Sequence, residues 1–541
     1  MTSGFLEDAS FNQSPAFGDI DLFSADKPLA EAAARCGLDA QALTACGKDY
    51  GSAETLDLGR VANENPPRLR TMDGKGNRID FVEFHPAYHA LMAKSIGWGI
   101  HSGAHDGSEP NAPLTSRAVR FYLATQAESG HLCSISMTHA CIGALKSEPE
   151  LLRKWQAKIV SRAYDRRPLP WWEKTGVTFG MGMTERQGGT DVRANITEAA
   201  PILSGNEGDH VEISGHKWFM SAPMCDAFLV LAQAPGGLTC YLMPRYRPDG
   251  SRNAIRFQRL KDKLGNKSNA SSEVEFHGAY AERVGAEGAG VRTIIEMVNL
   301  TRIDCAIASA GQMRFGLSQA LHHIRNRSVF QRRLADQPSM RAVVADIALE
   351  LEAQIALVFR LTYAVDKGET AYSRLLTPAV KFLICKSTPH AVYESLECLG
   401  GNGYTEDLPM ARLYREAPLN AIWEGPGNVM ALDVLRAAGR APDATMEMVG
   451  GLVRTASTAF DVRPLAVALE KTLKSPDAER RARFLCEGLA RLAALAALAE
   501  ANSPFATLYG DARLSGFQFS QYGAADLGTA ETQLMDRALA A

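Results

Sequence analysis

A chain of 541 residues that is 46% hydrophobic and 22% charged is long enough for roughly three or four domains and too apolar to be disordered. Its net charge of −3 argues against a chain-wide pull toward nucleic acid or anionic lipid. Its ten cysteines are scattered without a C-x-x-C pair, which favours reduced thiols in a cytoplasmic protein over a disulfide framework or a zinc site.

In chain order, the opening "MTSGFLEDASFNQ" lacks the basic and apolar regions of a secretory signal. Up to about Lys174 the pattern is helical; in "RAVRFYLATQAESG" the apolar residues recur at three- and four-residue intervals, which predicts a helix with one buried face. Pro168, Pro170 and the pair Trp171–Trp172 break that pattern. From about Thr175 to Arg283 the period falls to two. "HVEISGHKWFM", "AFLVLAQA", "LTCYLMPR", "AIRFQRL" and "SSEVEFHGAY" predict short strands of an antiparallel β domain. Helical spacing returns near Gly290 and runs to about Gly439, with two long amphipathic segments of bundle type. Residues 441–541 are rich in alanine and leucine and predict a helical extension. Within it "LARLAALAALAEA" is the nearest approach to a membrane span, but it is short and carries Arg491. The expected division is 1–174, 175–287, 288–440 and 441–541, an α+β chain in which a β domain lies between helical domains. Such layouts place ligands between domains.

Four stretches could carry chemistry. "GMTERQGGTDVRA" (182–194) stands where helices give way to strands; Gly188 and Gly189 let a ligand approach the backbone, and Thr184 and Thr190 add hydroxyls. Its structural alternative is a helix start with Thr184 and Gln187 as a capping box. In "GHKWFMSAP" (215–223), strand alternation would send one of Trp218 and Phe219 into a core and leave the other facing a planar ligand, with Ser221 on the face of Phe219; two core aromatics are the alternative. In "ECLGGNGYTEDLPMARLYREA" (397–417), Gly400 and Gly401 read as a helix C-cap and Gly403 as a second turn. In "APLNAIWEGPGN" (417–428), a lone carboxylate, Glu424, follows Ile422 and Trp423. Apolar company disfavours the charged form of such a group, which would suit a general base near neutral pH. A surface turn is the alternative.

Together these stretches resemble the acyl-CoA dehydrogenase superfamily: the first and third fit its two signatures, in order and spacing, over roughly residues 85 to 435. The resemblance is closer still to its adaptive-response (AidB) branch, through "FNQ", "ETLDLGRVANENPP", "FHPAYH", "GHKWFMS", "RLKDKLGNKSNASSEVEF", "YREAPLNAIWEGPGN" and the C-terminal extension. It implies an FAD flavoprotein, with the cofactor between the β domain and the C-terminal helices. By motif position Met183, Thr184, Gly189 and Thr190 would line flavin and pyrophosphate, and Phe219, Met220 and Ser221 the isoalloxazine. Phe219 stands where the family has tryptophan. Trp423, Gly425 and Asn428 would also meet FAD. Arg327 and Gln337, in "RNRSVFQRRLADQ", would reach a neighbouring subunit's FAD, although Gln331 replaces the usual glycine; Glu397, Gly400 and Gly401 would also act in trans, with Glu397 replacing glutamine. A homotetramer is thereby implied. Glu424 falls on the catalytic base, which takes a proton from carbon while a hydride leaves the next carbon for flavin N5. Pro426 and Gly427 replace small polar residues there.

Two functions follow from the resemblance. One is a working dehydrogenase for a short or branched acyl-CoA, with electron-transfer flavoprotein as an implied acceptor. The other is a DNA-associated alkylation-response protein that retains FAD and dehydrogenates weakly. The extension carries ten Lys and Arg against twelve Asp and Glu. Lys471, Lys474, Arg480, Arg481, Arg483 and Arg491 form a local basic cluster, for which a solvated helix face is the commoner explanation. A nitroalkane oxidase of the same fold is a third option, but it would use aspartate at the base position. No metal site and no membrane partner are expected.

Overall fold

The computed structural model describes residues 12–202, 210–516 and 527–539; Phe11 of the "FNQ" stretch lies outside them. The chain forms two compact units, 57–113 with 128–304, and 1–56 with 114–127 and 305–541. The expected N-terminal helical segment 1–174 is therefore shared between the two. A buried carboxylate explains part of that sharing: Asp26 accepts hydrogen bonds from Leu29 N (3.1 Å) and from Tyr122 Oη (2.9 Å), and lies 3.3 Å from Arg314.

The unit built from 57–113 and 128–304 carries the sheets. β1 (Arg68–Met72) and β2 (Arg78–Glu83) form an antiparallel hairpin in a stretch expected to be helical. Asp73 closes its turn, accepting from Lys75 N, Asn77 N and Asn77 Nδ2, and Gly76 supplies φ +81°. The main sheet contains β3 (Phe179–Gly182), β4 (Glu198–Pro201), β5 (His210–Ser221), β6 (Ala227–Ala234), β7 (Gly237–Pro244), β8 (Ile255–Leu260) and β9 (Ser271–Val284). The order is β3-β5-β4-β6-β7-β9-β8, with β3–β6 and β5–β9 pairings curling it toward a barrel. Most pairs are antiparallel, as expected; β3–β6 and β4–β6 are parallel. Phe179, Phe228, Leu231, Tyr241 and Met220 fill its core against Trp155 and Leu145 of the flanking helices.

The other unit is a helical bundle. Its long members are the C-terminal part of Gly290–Asn326, Pro338–Asp366 and Thr370–Glu397, followed by Gly427–Arg440. Between the first two, β10 (Ser328–Val329) and β11 (Arg332–Arg333) make a two-residue hairpin. The extension adds Pro442–Ala456, Arg463–Leu473, Ala482–Glu500, Ala506–Leu514 and Ala530–Ala538. The alanine-rich Ala482–Glu500 helix is buried over Leu489–Leu498 apart from Arg491, and it packs on the bundle. No described helix is long and apolar enough to cross a membrane. The Pro113–Ala127 helix departs from its expected single buried face: every residue from Leu114 to Ala127 is buried, Arg117 and Arg120 included. Arg117 lies 4.7 Å over the Phe121 ring. All ten cysteines are free.

Candidate functional site

Each unit presents its own set of expected site residues. On the β unit, the two motifs meet where β3 pairs with β5 at Gly182↔Met220, and Trp218 N donates to Thr184 O (2.8 Å). The segment after β3 is a loop, not the helix start that a capping box would make: Glu185 and Gly188 bridge, and Gln187 turns its amide to Glu185 (2.8 Å) and to Ala194 O (3.0 Å). Glu185 holds this loop from beneath. It is buried, ion-paired to Lys217 at 2.7 Å, and accepts from Ile196 N (2.8 Å). Lys217 and these hydrogen bonds outweigh burial and lower its pKa to about 2. Gly188 has open space where a Cβ would stand, while a Cβ on Gly189 would lie 2.4 Å from Thr184 Oγ1. Glycine at 189 thus keeps the Thr184 hydroxyl in place.

β5 departs from simple alternation. The register slips between Lys217 and Met220, a bulge of one residue. Lys217 and Met220 both enter the core, and Trp218 and Phe219 both stay out of it. Phe219 is 51% exposed. The Lys261 ammonium lies 3.5 Å from the Trp218 ring centre and 4.6 Å from that of Phe219. The expectation that one aromatic enters the core is corrected accordingly. Ser221 is half-buried, 3.4 Å from Ser271 Oγ, and Met220 O accepts from Ser272 Oγ (2.8 Å).

On the helical unit, Glu424 sits half-buried with φ +58°, a left-handed conformation costing a non-glycine residue about 1–2 kcal/mol. Ile422, expected to shield it, is 62% exposed. A cation holds the turn. Lys381, 1% exposed on the Thr370–Glu397 helix, donates from Nζ to Trp423 O and to Gly425 O, both at 2.9 Å. Its ammonium grips the carbonyls on either side of Glu424. Trp423 is fixed through its ring, Nε1 donating to Asn420 Oδ1 (2.9 Å) and Asn420 in turn to Ser309 Oγ (3.1 Å). Pro426 caps the Gly427–Arg440 helix; a Cβ on Gly427 would meet Lys386 Cε at 2.9 Å. Asn428 is exposed and accepts from Arg483 of the extension (3.1 Å). Sequence reasoning missed Lys381. Its one signal was a lysine within the apolar run "AVKFLI".

The remaining expected residues lie elsewhere on this unit. Glu397 ends its helix, exposed, sixteen residues beyond Lys381 and so roughly 24 Å along the axis. Gly400 takes φ +61° and ψ −142°, open to glycine alone, and Gly401 begins the short helix Gly401–Tyr404. Arg327 donates to Asn12 O (2.7 Å), and the Asn12 amide brackets Ser328. Gln337 donates to Val329 O (3.3 Å) across the hairpin. At its tip Phe330 and Gln331 both have positive φ, 52° and 64°, and Phe330 is 91% exposed. In the extension the basic cluster disperses. Arg491 pairs with Glu487 (3.0 Å) and with buried Glu350 (3.7 Å), Lys474 pairs with Glu470, and Arg483 lies over Phe382. Arg491 is thus a packing residue, not part of a solvated face. No cluster of metal-binding side chains occurs among the described residues.

Three family descriptions match the chain: "Adaptive response protein AidB N-terminal domain" over residues 12–166, "Acyl-CoA dehydrogenase, middle domain" over 180–279 and "Acyl-CoA dehydrogenase, C-terminal domain" over 288–439. AidB of Escherichia coli strain K12 is 47% identical over 433 residues, 79% of each chain. The chain belongs to the AidB branch of the acyl-CoA dehydrogenase family. Among solved structures, Caenorhabditis elegans ACDH-11 in complex with C11-CoA superposes with a TM-score of 0.82 at 25% identity, covering all of this chain and 93% of that one. The apo form of Bd2924 gives a TM-score of 0.82 at 28% identity over 90% of this chain and 99% of that one. The extension is thus part of a shared architecture, and the fold is that of an acyl-CoA dehydrogenase.

Proposed function

We propose that this family member is an FAD-dependent oxidoreductase acting on the CH–CH bond of a short or branched acyl thioester, with Glu424 as the base. The observation that carries this reading is the Glu424 turn: a carboxylate held in a strained left-handed conformation by a buried ammonium on both flanking carbonyls. Strain of that kind persists where the surroundings impose it, and it fixes a carboxylate in space.

The β unit suits a flat ring and phosphates. Phe219 offers an exposed aromatic face, the open space at Gly188 lets a ligand approach the backbone beside the Thr184 and Thr190 hydroxyls, and Ser221 adds a hydroxyl donor. In this reading Met183, Thr184, Gly189, Thr190, Phe219 and Ser221 hold FAD, and Met220, its side chain in the core, sets the spacing between the last two. Trp423, Gly425 and Asn428 serve the same cofactor, as do Arg327, Gln337, Glu397, Gly400 and Gly401 from a neighbouring copy. Bound FAD supplies the hydride acceptor. Glu424 orients on, and takes, the proton from the carbon next to the thioester carbonyl. Lys381 keeps that carboxylate aimed. The exposed Phe330 hairpin offers an apolar contact for a neighbouring copy, a homotetramer is the proposed assembly, and electron-transfer flavoprotein is the proposed electron acceptor. The DNA-associated reading gains less support: Arg491 is committed to buried Glu350 and Arg483 to Asn428, and Lys471, Lys474, Arg480 and Arg481 remain interspersed with Glu470, Asp477 and Glu479.

The test is anaerobic mixing of the FAD-loaded protein with a panel of acyl-CoAs. Flavin absorbance should bleach with at least one short or branched member; no bleaching across a broad panel would end the proposal.

A further inference from the structure

The stretch "FHPAYH" (Phe84–His89) holds none of the residues proposed for FAD or for the base, yet it builds a cavity. Between the β1–β2 hairpin, the Pro86–Gly97 helix, the 164–168 segment and the 222–226 turn lies a 390 Å³ space, wholly within the β unit. That volume falls in the range of small-molecule sites. Its floor is apolar: Phe84 and Tyr88 stack at 4.2 Å with their planes 16° apart, and Met92 and Met224 stand beside them.

The polar groups around it sort into spent and unspent. Arg167 and Lys174 pair with Asp165 and Asp226, each at 2.6 Å. Arg245 donates to the carbonyls of Pro223 and Asp80. Three groups are left. Arg166 lines the cavity, is exposed, and has no ion-pair or hydrogen-bond partner among the described residues. His89 Nδ1 lies 2.8 Å from Tyr164 Oη; with the phenol donating, Nε2 carries the ring proton and has no partner of its own among the described residues. Burial and the nearby Arg166 lower the His89 pKa to about 4, so the ring is neutral at pH 7. Glu83, the third, is exposed on β2. Two unspent donors thus stand against one solvated acceptor, above an aromatic floor.

We propose that this cavity is a second ligand site, distinct from the dehydrogenase site, for a small monocarboxylic acid with an aromatic or bulky apolar body. The carboxylate meets Arg166 and His89 Nε2, and the body lies on the Phe84–Tyr88 stack. Recognition of this kind needs the charge of the ligand and the planar fork of the arginine.

Isothermal titration of the FAD-loaded protein with 3-phenylpropionate tests it. Saturable binding at one site per chain is expected, with flavin absorbance unchanged. Arg166→Ala, a surface change that spares folding and FAD content, should weaken binding at least tenfold, and so should His89→Phe. The uncharged 3-phenylpropionamide should bind at least tenfold more weakly than the acid. The proposal fails if no saturable binding occurs. It fails equally if the amide or 2-phenylethylamine binds as well as the acid, if Arg166→Ala binds like wild type, or if the acid perturbs the flavin spectrum and so occupies the flavin site.

Discussion

Lys381→Met removes the ammonium that holds the Glu424 turn and leaves a side chain of similar length and apolar character. Two charge-assisted hydrogen bonds are lost, to Trp423 O and Gly425 O. At about 1.5–3 kcal/mol each they total about 3–6 kcal/mol. The left-handed conformation of Glu424 opposes them with about 1–2 kcal/mol. In the wild type the grip exceeds the strain, so the turn stays as observed; in the variant only the strain remains, and the turn relaxes. With about 1–2 kcal/mol of strain now disfavouring it, the aimed turn becomes the minor state, and the rate of flavin reduction should fall by about 5- to 30-fold. The assay is stopped-flow anaerobic reduction with the acyl-CoA that bleaches the wild type best, on protein checked for FAD content. Lys381→Arg should recover little, since the larger planar guanidinium must fit a buried site that holds a compact ammonium. A folded, FAD-loaded Lys381→Met protein that reduces its flavin at the wild-type rate would refute the argument.

Other outcomes follow from the same geometry. Gly189→Ala forces a Cβ to within 2.4 Å of Thr184 Oγ1, so the hydroxyl must rotate away; purified protein should retain less FAD, measured as the ratio of flavin to protein absorbance. Glu128 is buried and accepts from Asn63, Gly130 N, His131 N, His131 Nδ1 and Ser268. These partners overcome burial and lower its pKa to about 2. A carboxyl whose folded pKa lies below its unfolded value stabilises the fold above the unfolded value. That contribution should be complete above about pH 4.5 and lost as pH falls toward 2, and Glu128→Gln should remove it, flattening the decline of the unfolding temperature in acid. Glu350→Gln leaves Arg491 and Arg513 with a weaker partner in a buried network, and should lower stability by roughly 2–4 kcal/mol, read as a loss of thermal unfolding temperature.

The middle sheet was legible because short runs rich in β-branched and aromatic residues, bounded by turn residues, mark its strands: "HVEISGHKWFM", "AFLVLAQA" and "SSEVEFHGAY" fall within β5, β6 and β9, although only the start of β5 alternates and β6 is buried on both faces through Ala232. The β1–β2 hairpin was not, because neither strand buries a clean face; β1 alternates between exposed and half-buried residues. Its turn "MDGKGNR" held the available signal, an Asp-Gly followed by a Gly-Asn. The Pro113–Ala127 helix reads as amphipathic because Arg117 and Arg120 look like solvent residues, yet tertiary packing buries both. At the candidate site the residue types were readable and their restraints were not. Strand alternation cannot anticipate the β5 bulge that leaves both Trp218 and Phe219 outside the core. Nor can local sequence connect Lys381 to carbonyls more than forty residues later. The apolar neighbours of Glu424 proved a poor guide: Ile422 is exposed, and the turn is held by a cation instead.

In the proposed reaction Glu424 takes the proton that allows flavin reduction. The most direct test compares wild type with Glu424→Gln under anaerobic conditions, using the acyl-CoA that reduces the wild type fastest and the same compound deuterated at the carbon next to the carbonyl. The deuterated substrate should reduce wild type more slowly, and the variant should keep full FAD content with flavin reduction lowered ~1,000-fold or more, about 4 kcal/mol. A Glu424→Gln protein that still bleaches its flavin at a rate near wild type would contradict this role.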